Sequence, residues 1–199
     1  MIMIRRLFQT ALIVVSLLYG ASVAADSVTA FINVNVVPMA TETILPAQTV
    51  LVEDGIITTI GDVDDVRIPD DALAVDGTDR FLMPGLAEMH AHVPPAGSQQ
   101  RDRFFTLFVA NGVTSIRGML GHPSHLELRR NILDGIVFGP RLTTSGPSLN
   151  GRSVSGAADA RRQVSEQSAA GYDFIKVHPG LSAEEFTALA QTANEIAIP

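Results

Sequence analysis

The sequence predicts an α/β fold in which a β-rich N-terminal portion precedes strands and helices in strict alternation. Short segments rich in β-branched residues, separated by turn residues, fill the stretch from about residue 28 to residue 75. After Arg80, apolar strand segments and helical segments alternate along the chain. Such alternation is typical of a parallel sheet with crossover helices.

Residues 1–25 are predicted to be a secretory signal peptide. Arg5 and Arg6 precede a short apolar run, and small residues follow it at positions 20–25. The run is shorter than the roughly 20 apolar residues that a membrane-spanning helix needs. We therefore expect an exported chain, periplasmic or secreted, with no stable membrane span after removal of the signal.

The composition argues against a nucleic-acid partner and excludes stabilisation by disulfide bonds. A net charge of −7 provides no basic surface, so a nucleic-acid partner is not expected. The chain has no cysteine, so its fold depends on an apolar core, which the 46% hydrophobic content allows.

Residues 26–80 are predicted to form the N-terminal β-sandwich portion. Strands are expected at residues 30–37, 48–53, 56–60 and 72–75. Asp54-Gly55 is a typical two-residue hairpin turn between the second and third of these strands. This small β-domain is interpreted as one half of a sandwich.

Strand–helix units are predicted from residue 81 to residue 199. The first strand lies in an apolar run at residues 81–93 that Pro84-Gly85 interrupts, and further strands lie at residues 113–117, 141–145 and 172–178. The helices lie at 102–111, 123–133, 157–170 and 182–196. Gly112, Gly135 and Gly171 follow the first three helices, where glycine is favoured. Ser182 and Glu185 form a capping-box pattern at the start of the fourth helix. Residues 196–199 are interpreted as the approach to a fifth strand.

His90 and His92, at the end of the first of these strands, are the most informative residues. Residues two apart on a strand face the same side, so both imidazoles can bind one metal ion. Lys176 lies near the end of the fourth strand, and functional residues of such folds gather at the C-terminal strand ends. Each signal also has a structural interpretation: two polar residues at a strand end, and a lysine paired with a carboxylate.

Several motifs resemble the metal-dependent amidohydrolase superfamily, in particular its Xaa-Pro dipeptidase and imidazolonepropionase-like branch. They are residues 81–92 (FLMPGLAEMHAH), 111–117 (NGVTSIR), 139–147 (GPRLTTSGP) and 171–177 (GYDFIKV). The resemblance implies the first half of a (β/α)₈ TIM-type barrel, with strands 1–4 in residues 81–199, preceded by a small β-sandwich subdomain. The barrel is then incomplete, and we expect a fragment that needs a C-terminal half.

The resemblance also implies a metal site. His90 and His92 are expected to bind the more buried of two divalent ions, with Zn²⁺ preferred. Lys176 is expected to be a carboxylated lysine that bridges the two ions, because a desolvated lysine loses its proton more readily and can then take up CO₂. The general-base aspartate is expected beyond Pro199, so no catalytic residue is assigned within the chain. His178 is a candidate for substrate contact, and His122 and His125 are interpreted as loop residues.

The implied function is hydrolysis of C–N bonds in small amides, with dipeptides as leading substrates, by a metal-activated hydroxide. The chain by itself is expected to be inactive. One alternative is a catalytically inactive relic or self-associating domain that keeps only part of the metal site. The other is a mononuclear deaminase or cyclic-amide hydrolase relative, in which Lys176 is only structural.

Overall fold

The computed structural model describes residues 28–95 and 97–199. The predicted signal peptide, residues 1–25, lies outside these ranges. The chain divides into two compact units, of which the first ends at Pro84 and the second begins at Gly85. Within the described ranges, no helix has both the length and the apolar character needed to cross a bilayer.

The described part of the first unit is a five-stranded mixed sheet. Its strands are β1 (Val28–Val36), β2 (Leu45–Glu53), β3 (Ile56–Asp62), β4 (Leu73–Asp76) and β5 (Phe81–Leu82). β2 pairs antiparallel with β1 and β3, whereas β4 and β5 pair parallel with successive parts of β1. The predicted turn at Asp54-Gly55 is confirmed, since both residues have the positive φ angles, 49° and 76°, that this hairpin turn requires.

The buried core that residues 28–84 form is small. Val34, Val36 and Val50 form its buried cluster. Ile57 and Ile60 of β3 keep 59% and 48% of their surface exposed. Residues 28–84 contribute one sheet layer, and the second layer of a sandwich stays a prediction.

The second unit has the predicted alternation of strands and helices. Its strands are β6 (Leu86–Ala91), β7 (Val113–Gly118) and β8 (Arg141–Thr144), and its helices are α1 (Gln99–Ala110), α2 (Ser124–Leu133), α3 (Ala157–Ala170) and α4 (Ala183–Glu195). The sheet order is β6-β7-β8, and both pairings are parallel. The α/β class is confirmed, while the closed barrel stays a prediction.

The predicted fourth strand, residues 172–178, does not form a regular ladder with β8. It is present as two isolated parallel bridges, Ser145 with Phe174 and Leu149 with Val177. Pro147 lies between the bridged positions and has no N–H for a ladder bond. Ahead of the bridges, the Asp173 carboxylate accepts a hydrogen bond from the Thr144 N–H at 2.8 Å. The fourth segment therefore lies next to the chain that follows β8, as predicted. Regular pairing in this sheet, between β7 and β8, ends at Thr144.

Two helix starts show how local sequence sets the element bounds. α1 begins three residues before the predicted position, because Ser98 Oγ accepts the Arg101 N–H at 3.1 Å and caps the helix. The capping box of α4 is confirmed, since Ser182 Oγ accepts the Glu185 N–H and the Glu185 carboxylate accepts the Ser182 N–H.

The apolar core of the second unit lies between strands and helices. One cluster joins β6, β7 and β8 to α1 and α2: Ala91, Val93, Phe105, Ile116, Leu128 and Leu142. The other joins the loop after β8 to α3 and α4, with Ile175 and Val177 of the fourth segment packed against it. Because strand side chains alternate between faces, the residues between these apolar positions face away from the helices.

Candidate metal centre at the strand ends

His90 and His92 lie on the sheet face opposite the helices. Ala91 and Val93, which alternate with them, are buried in the helix-side core at 3% and 5% exposure. Both histidines are exposed, and their ring centroids lie 5.3 Å apart. Two imidazoles on one tetrahedral zinc ion, with Zn–N bonds of about 2 Å, have their ring centres roughly 5 Å apart. Neither ring has a hydrogen-bond partner within residues 28–95 and 97–199, so the pair fits a metal ion.

Glu88 fixes the backbone directly before the first predicted ligand, His90, a role that sequence reasoning missed. Its carboxylate accepts the His90 N–H at 2.7 Å. The register of β6 against β7 shifts between Glu88 and Ala91, so this bond replaces a regular ladder bond. Beyond the shift, the Met119 N–H donates to the Ala91 carbonyl at 2.8 Å and restores the pairing. The backbone on both sides of His90 is thereby held in place.

Lys176 shares a sheet face with the histidines. Its neighbours Ile175 and Val177 pack towards α3 and α4, so Lys176 faces away from these helices. The Arg117 guanidinium lies 4.4 Å from the ring centroid of Phe174, and Arg117 in turn alternates with the helix-side Ile116. This cation–π contact makes the helix-free faces of the second and fourth segments one continuous face.

The ligand set within the described residues is partial. Among the described residues, Lys176 makes no ion pair with a carboxylate, which the structural interpretation of this lysine would require. Likewise, no group of three or more His, Cys, Asp or Glu side chains converges within residues 28–95 and 97–199. The arrangement offers two imidazoles and, on the same face, one amine.

His125 is not a loop residue, contrary to the sequence interpretation. It lies in α2 and is completely buried. Its Nδ1 accepts the His122 N–H at 3.2 Å, so we assign the ring proton to Nε2. Burial is the main cause that lowers the pKa of His125, and the nearby carbonyls of Pro94 and Val93 act in the opposite direction. The ring therefore lies beside the segment that directly follows His92, while its buried Nε2 has no hydrogen-bond partner among the described residues.

The helix predicted at residues 123–133 already contained His125, and its spacing was the signal that the ring faces the core. His125, Leu128 and Ile132 recur at i, i+3 and i+7, the pattern of a helix face turned to the core. Leu128 is buried, and Ile132 packs against the same cluster. A histidine on such a face is expected to be a core residue.

His178 lies at the same edge of the sheet. Its N–H donates to the Leu149 carbonyl at 2.9 Å, and the side chain is half-buried. It lines a cavity of about 520 Å³ together with residues of the loop after β8. The predicted substrate contact at His178 stays a prediction.

Comparison with known proteins gives matches among solved structures only. No family model and no curated protein matches the chain. A candidate prolidase from Bifidobacterium longum is 26% identical with a TM-score of 0.74, over 87% of this chain and 48% of that one. The bottromycin amidohydrolase is 25% identical with a TM-score of 0.70, over 86% and 38%. A Xaa-Pro dipeptidase with methionine bound in the active site is 17% identical with a TM-score of 0.71, over 86% and 55%.

The described chain thus has the fold of the amidohydrolase superfamily, as its motifs predicted. The match to prolidase, Xaa-Pro dipeptidase and amidohydrolase structures is consistent with the N-terminal half of that fold. The chain spans about half the length of most of these structures.

Proposed function

We propose that this chain supplies the first half of an amidohydrolase active site, and that the complete barrel hydrolyses C–N bonds of small amides. Dipeptides are the leading substrates. The observation that carries the proposal is the pair of unpartnered imidazoles, His90 and His92, 5.3 Å apart on the face that also bears Lys176. Additional support comes from the matched structures of prolidase, dipeptidase and amidohydrolase proteins.

The donor chemistry of these residues fits divalent metal ions. His90 and His92 would hold one ion, with Zn²⁺ preferred because imidazole nitrogen suits it. Lys176, once carboxylated, would offer oxygen atoms to a metal pair. A bound divalent ion would supply Lewis acidity and would lower the pKa of bound water. The chain itself orients the ligands, through the Glu88 bond to the His90 N–H and the packing of Ile175 and Val177 on both sides of Lys176.

Export is part of the same proposal. Its support is the order of features at residues 1–25, with Arg5 and Arg6 before an apolar run and small residues after it. N-terminal sequencing of the protein from its native host checks this, with a mature chain expected to begin near residue 26.

Titration with Co²⁺, whose visible absorption reports nitrogen and oxygen coordination, tests the metal site. The purified chain is expected to bind Co²⁺, and the double variant His90→Asn/His92→Asn to lose more than the about 10-fold in affinity that an outer-shell change costs. His122→Asn is the matched control, because this exposed histidine serves the start of α2, where its Nδ1 accepts the Ser124 N–H. Equal affinity in the double variant and the unchanged chain would contradict the proposal.

Turnover by the chain alone tests the fragment interpretation. The metal-loaded chain alone is expected to show no steady hydrolysis of Xaa-Pro dipeptides, because its described residues offer an incomplete ligand set. Steady turnover that the His90/His92 double variant abolishes would contradict the fragment interpretation and support the hydrolase. A carbamate signal after ¹³C-bicarbonate labelling, present in the unchanged protein and absent in Lys176→Arg, would argue against a purely structural lysine.

A further inference from the structure

We propose that Phe174 is a positioning residue, which holds the positive charge of Arg117 over the fourth segment and away from the predicted metal ligands His90 and His92. The inference rests on the metal site of the proposed function and adds a residue pair that controls its affinity. Its consequence is electrostatic, because the affinity of two imidazoles for a divalent cation depends on where the nearest guanidinium lies.

Arg117 lies beside the first predicted metal ligand. The register of β6 against β7 places His90 and Arg117 between two pairs of partner residues, and thus at the same level of the sheet. These pairs are Glu88 with Ile116 and Ala91 with Gly118. Both His90 and Arg117 alternate with residues of the helix-side core, so they share the opposite face. Because neighbouring strands lie about 4.8 Å apart, an arginine here can bring its charge close to an ion bound by the histidines.

The guanidinium lies instead over the ring of Phe174. Its Cζ atom is 4.4 Å from the ring centroid, within the roughly 6 Å over which a cation–π contact acts. To make this contact the side chain crosses β8, since Arg117 pairs with Thr143 of that strand and Phe174 bridges to Ser145 beyond it. The charge is therefore displaced from β7 towards the fourth segment, on the side opposite to β6.

The burial of Phe174 supports a specific role for this contact. The residue is only 4% exposed, although it alternates with the helix-side Ile175 and belongs to neither apolar cluster that the described residues of the second unit form. Arg117 forms no ion pair with a carboxylate within residues 28–95 and 97–199. The aromatic ring is thus the partner that the described residues provide for this cation, and the guanidinium contributes to the cover of the ring.

The position over Phe174 also suits the proposed chemistry of the fourth segment. Lys176 follows Phe174 by two residues and faces the same side. In its carboxylated form, which is part of the proposed function, Lys176 would be anionic, and a nearby guanidinium stabilises an anion. The same displacement therefore removes a positive charge from the site of a cation and brings it towards the site of an anion.

Coulomb's law gives the size of the expected effect. A guanidinium turned back to about 7 Å from a divalent ion in water weakens binding of that ion about 5-fold at about 10 mM salt. At about 0.5 M salt the Debye length falls to about 4 Å, and the loss falls below about 2-fold. Salt dependence thus distinguishes a misplaced charge from a damaged fold.

A Co²⁺ titration of a double-mutant cycle tests the proposal. Phe174→Leu removes the aromatic ring and keeps an apolar side chain, and it is expected to weaken Co²⁺ binding about 5-fold at about 10 mM salt and less than about 2-fold at about 0.5 M. Arg117→Gln removes the charge and is expected to bind Co²⁺ within about 2-fold of the unchanged chain, because the guanidinium is already held away from the ion. The double variant Phe174→Leu/Arg117→Gln is expected to recover the affinity of the unchanged chain.

Two further variants serve as controls. Phe174→Tyr keeps an aromatic face for the guanidinium and is expected to retain the Co²⁺ affinity. Phe108→Leu is the matched control for the loss of a ring, because Phe108 packs against the helix-side cluster. It is expected to leave the Co²⁺ affinity and its salt dependence unchanged.

Several outcomes would overturn the role of Phe174. An unchanged affinity in Phe174→Leu, or an equal loss in Phe174→Leu and the double variant, would each do so. Tighter binding by Arg117→Gln, by about 5-fold at low salt, would show that the guanidinium already lies near the ion. This last comparison does not require that Phe174→Leu folds.

The same titrations keep the two proposals apart. If the unchanged chain binds Co²⁺ through His90 and His92 and none of the Phe174 effects is seen, the role of Phe174 is wrong and the metal site stands. If no chain of the cycle binds Co²⁺, the metal site is contradicted, and the role of Phe174 is contradicted with it.

Discussion

At the scale of single residues, His125 is a buried ring of α2 that lies beside the segment after the predicted metal ligands. Its Nδ1 is occupied by the His122 N–H, and the carbonyls of Val93 and Pro94 act on the ring. Since the site is fully buried, the ring is suited to its neutral form.

Acidification is expected to destabilise the fold through His125. Burial holds its folded pKa below the ordinary value of 6.5, so the unfolded chain takes up the proton first as the pH falls. The stabilising contribution is complete above pH 6.5 and is lost as the pH falls from there to the folded pKa. Urea midpoints measured from about pH 8 to about pH 5 are expected to fall less steeply in His125→Gln than in the unchanged chain.

The control for this experiment is His178→Asn, which removes a histidine outside the apolar clusters. It is expected to keep the steep pH dependence of the unchanged chain. His125→Gln is also expected to lower the free energy of unfolding at high pH by about 1–3 kcal/mol, because it disturbs a buried hydrogen bond. Identical slopes for His125→Gln and the unchanged chain would show that another group is responsible.

At the scale of elements, Asp173 links a helix, a strand and the fourth segment. Its Oδ2 accepts hydrogen bonds from Arg129 Nη1 of α2 at 2.6 Å and from the Thr144 N–H of β8 at 2.8 Å. Arg129 also donates to the Gly171 carbonyl just before this segment. At Thr144, where the pairing of β7 with β8 ends, the Asp173 carboxylate therefore accepts the N–H bond that a backbone carbonyl of a neighbouring strand would otherwise accept.

Asp173→Ala is expected to destabilise the chain by about 2 kcal/mol, because it leaves the buried Thr144 N–H without an acceptor. Asp173→Asn keeps an acceptor and loses only the ion pair, which solvent screens in part, so about 0–1 kcal/mol is expected. Arg129→Gln removes the ion pair together with the hydrogen bond to the Gly171 carbonyl, so its loss should be slightly larger than that of Asp173→Asn and still smaller than that of Asp173→Ala. Urea unfolding measures all three, and equal losses for the alanine and asparagine variants would contradict the role of Asp173 as an acceptor.

Local signals explain why most elements of the second unit were predictable. The glycines after α1, α2 and α3 and the capping box at Ser182 are features of nearby sequence, and the helix bounds follow them. The absence of a regular ladder at residues 172–178 was not predictable from the local sequence. It depends on the Asp173 carboxylate, which accepts the N–H of Thr144 in β8 in place of a backbone carbonyl. Ser98 was a local signal that the predicted start of α1 overlooked.

In the candidate site, too, some features follow from local sequence and others depend on contacts between segments distant in sequence. Spacing alone placed His90 and His92 on one side of a strand, and alternation placed Lys176 on the face that Phe174 and Arg117 share. The burial of His125 and the Arg117 contact depend on packing between segments distant in sequence. The cavity that His178 shares with the loop after β8 likewise requires that Gly151 and Gly180 meet, which no spacing within either loop indicates.

At the scale of the whole molecule, the first unit exposes an apolar surface on its sheet. A cavity of about 350 Å³ is lined only by apolar residues, which are Phe31, Val36, Val37, Pro38, Leu45, Val50, Val52, Ile57, Ile60, Leu82, Met83 and Pro84. The 46% hydrophobic composition signalled enough apolar side chains for a core, but not that those of β3 would stay exposed. Apolar surface of this kind binds apolar molecules or promotes association.

An apolar fluorescent dye is expected to bind the chain at this cavity. Ile60→Lys introduces a charge into its lining and is expected to reduce dye fluorescence and light scattering, because a charged group disfavours apolar ligands there. The fold should tolerate the change, since Ile60 is already 48% exposed. Ile136→Lys is the matched control, because Ile136 is 72% exposed and lies outside this cavity. If both variants reduce the dye signal equally, the added charge and not the cavity determines binding, and the prediction is wrong.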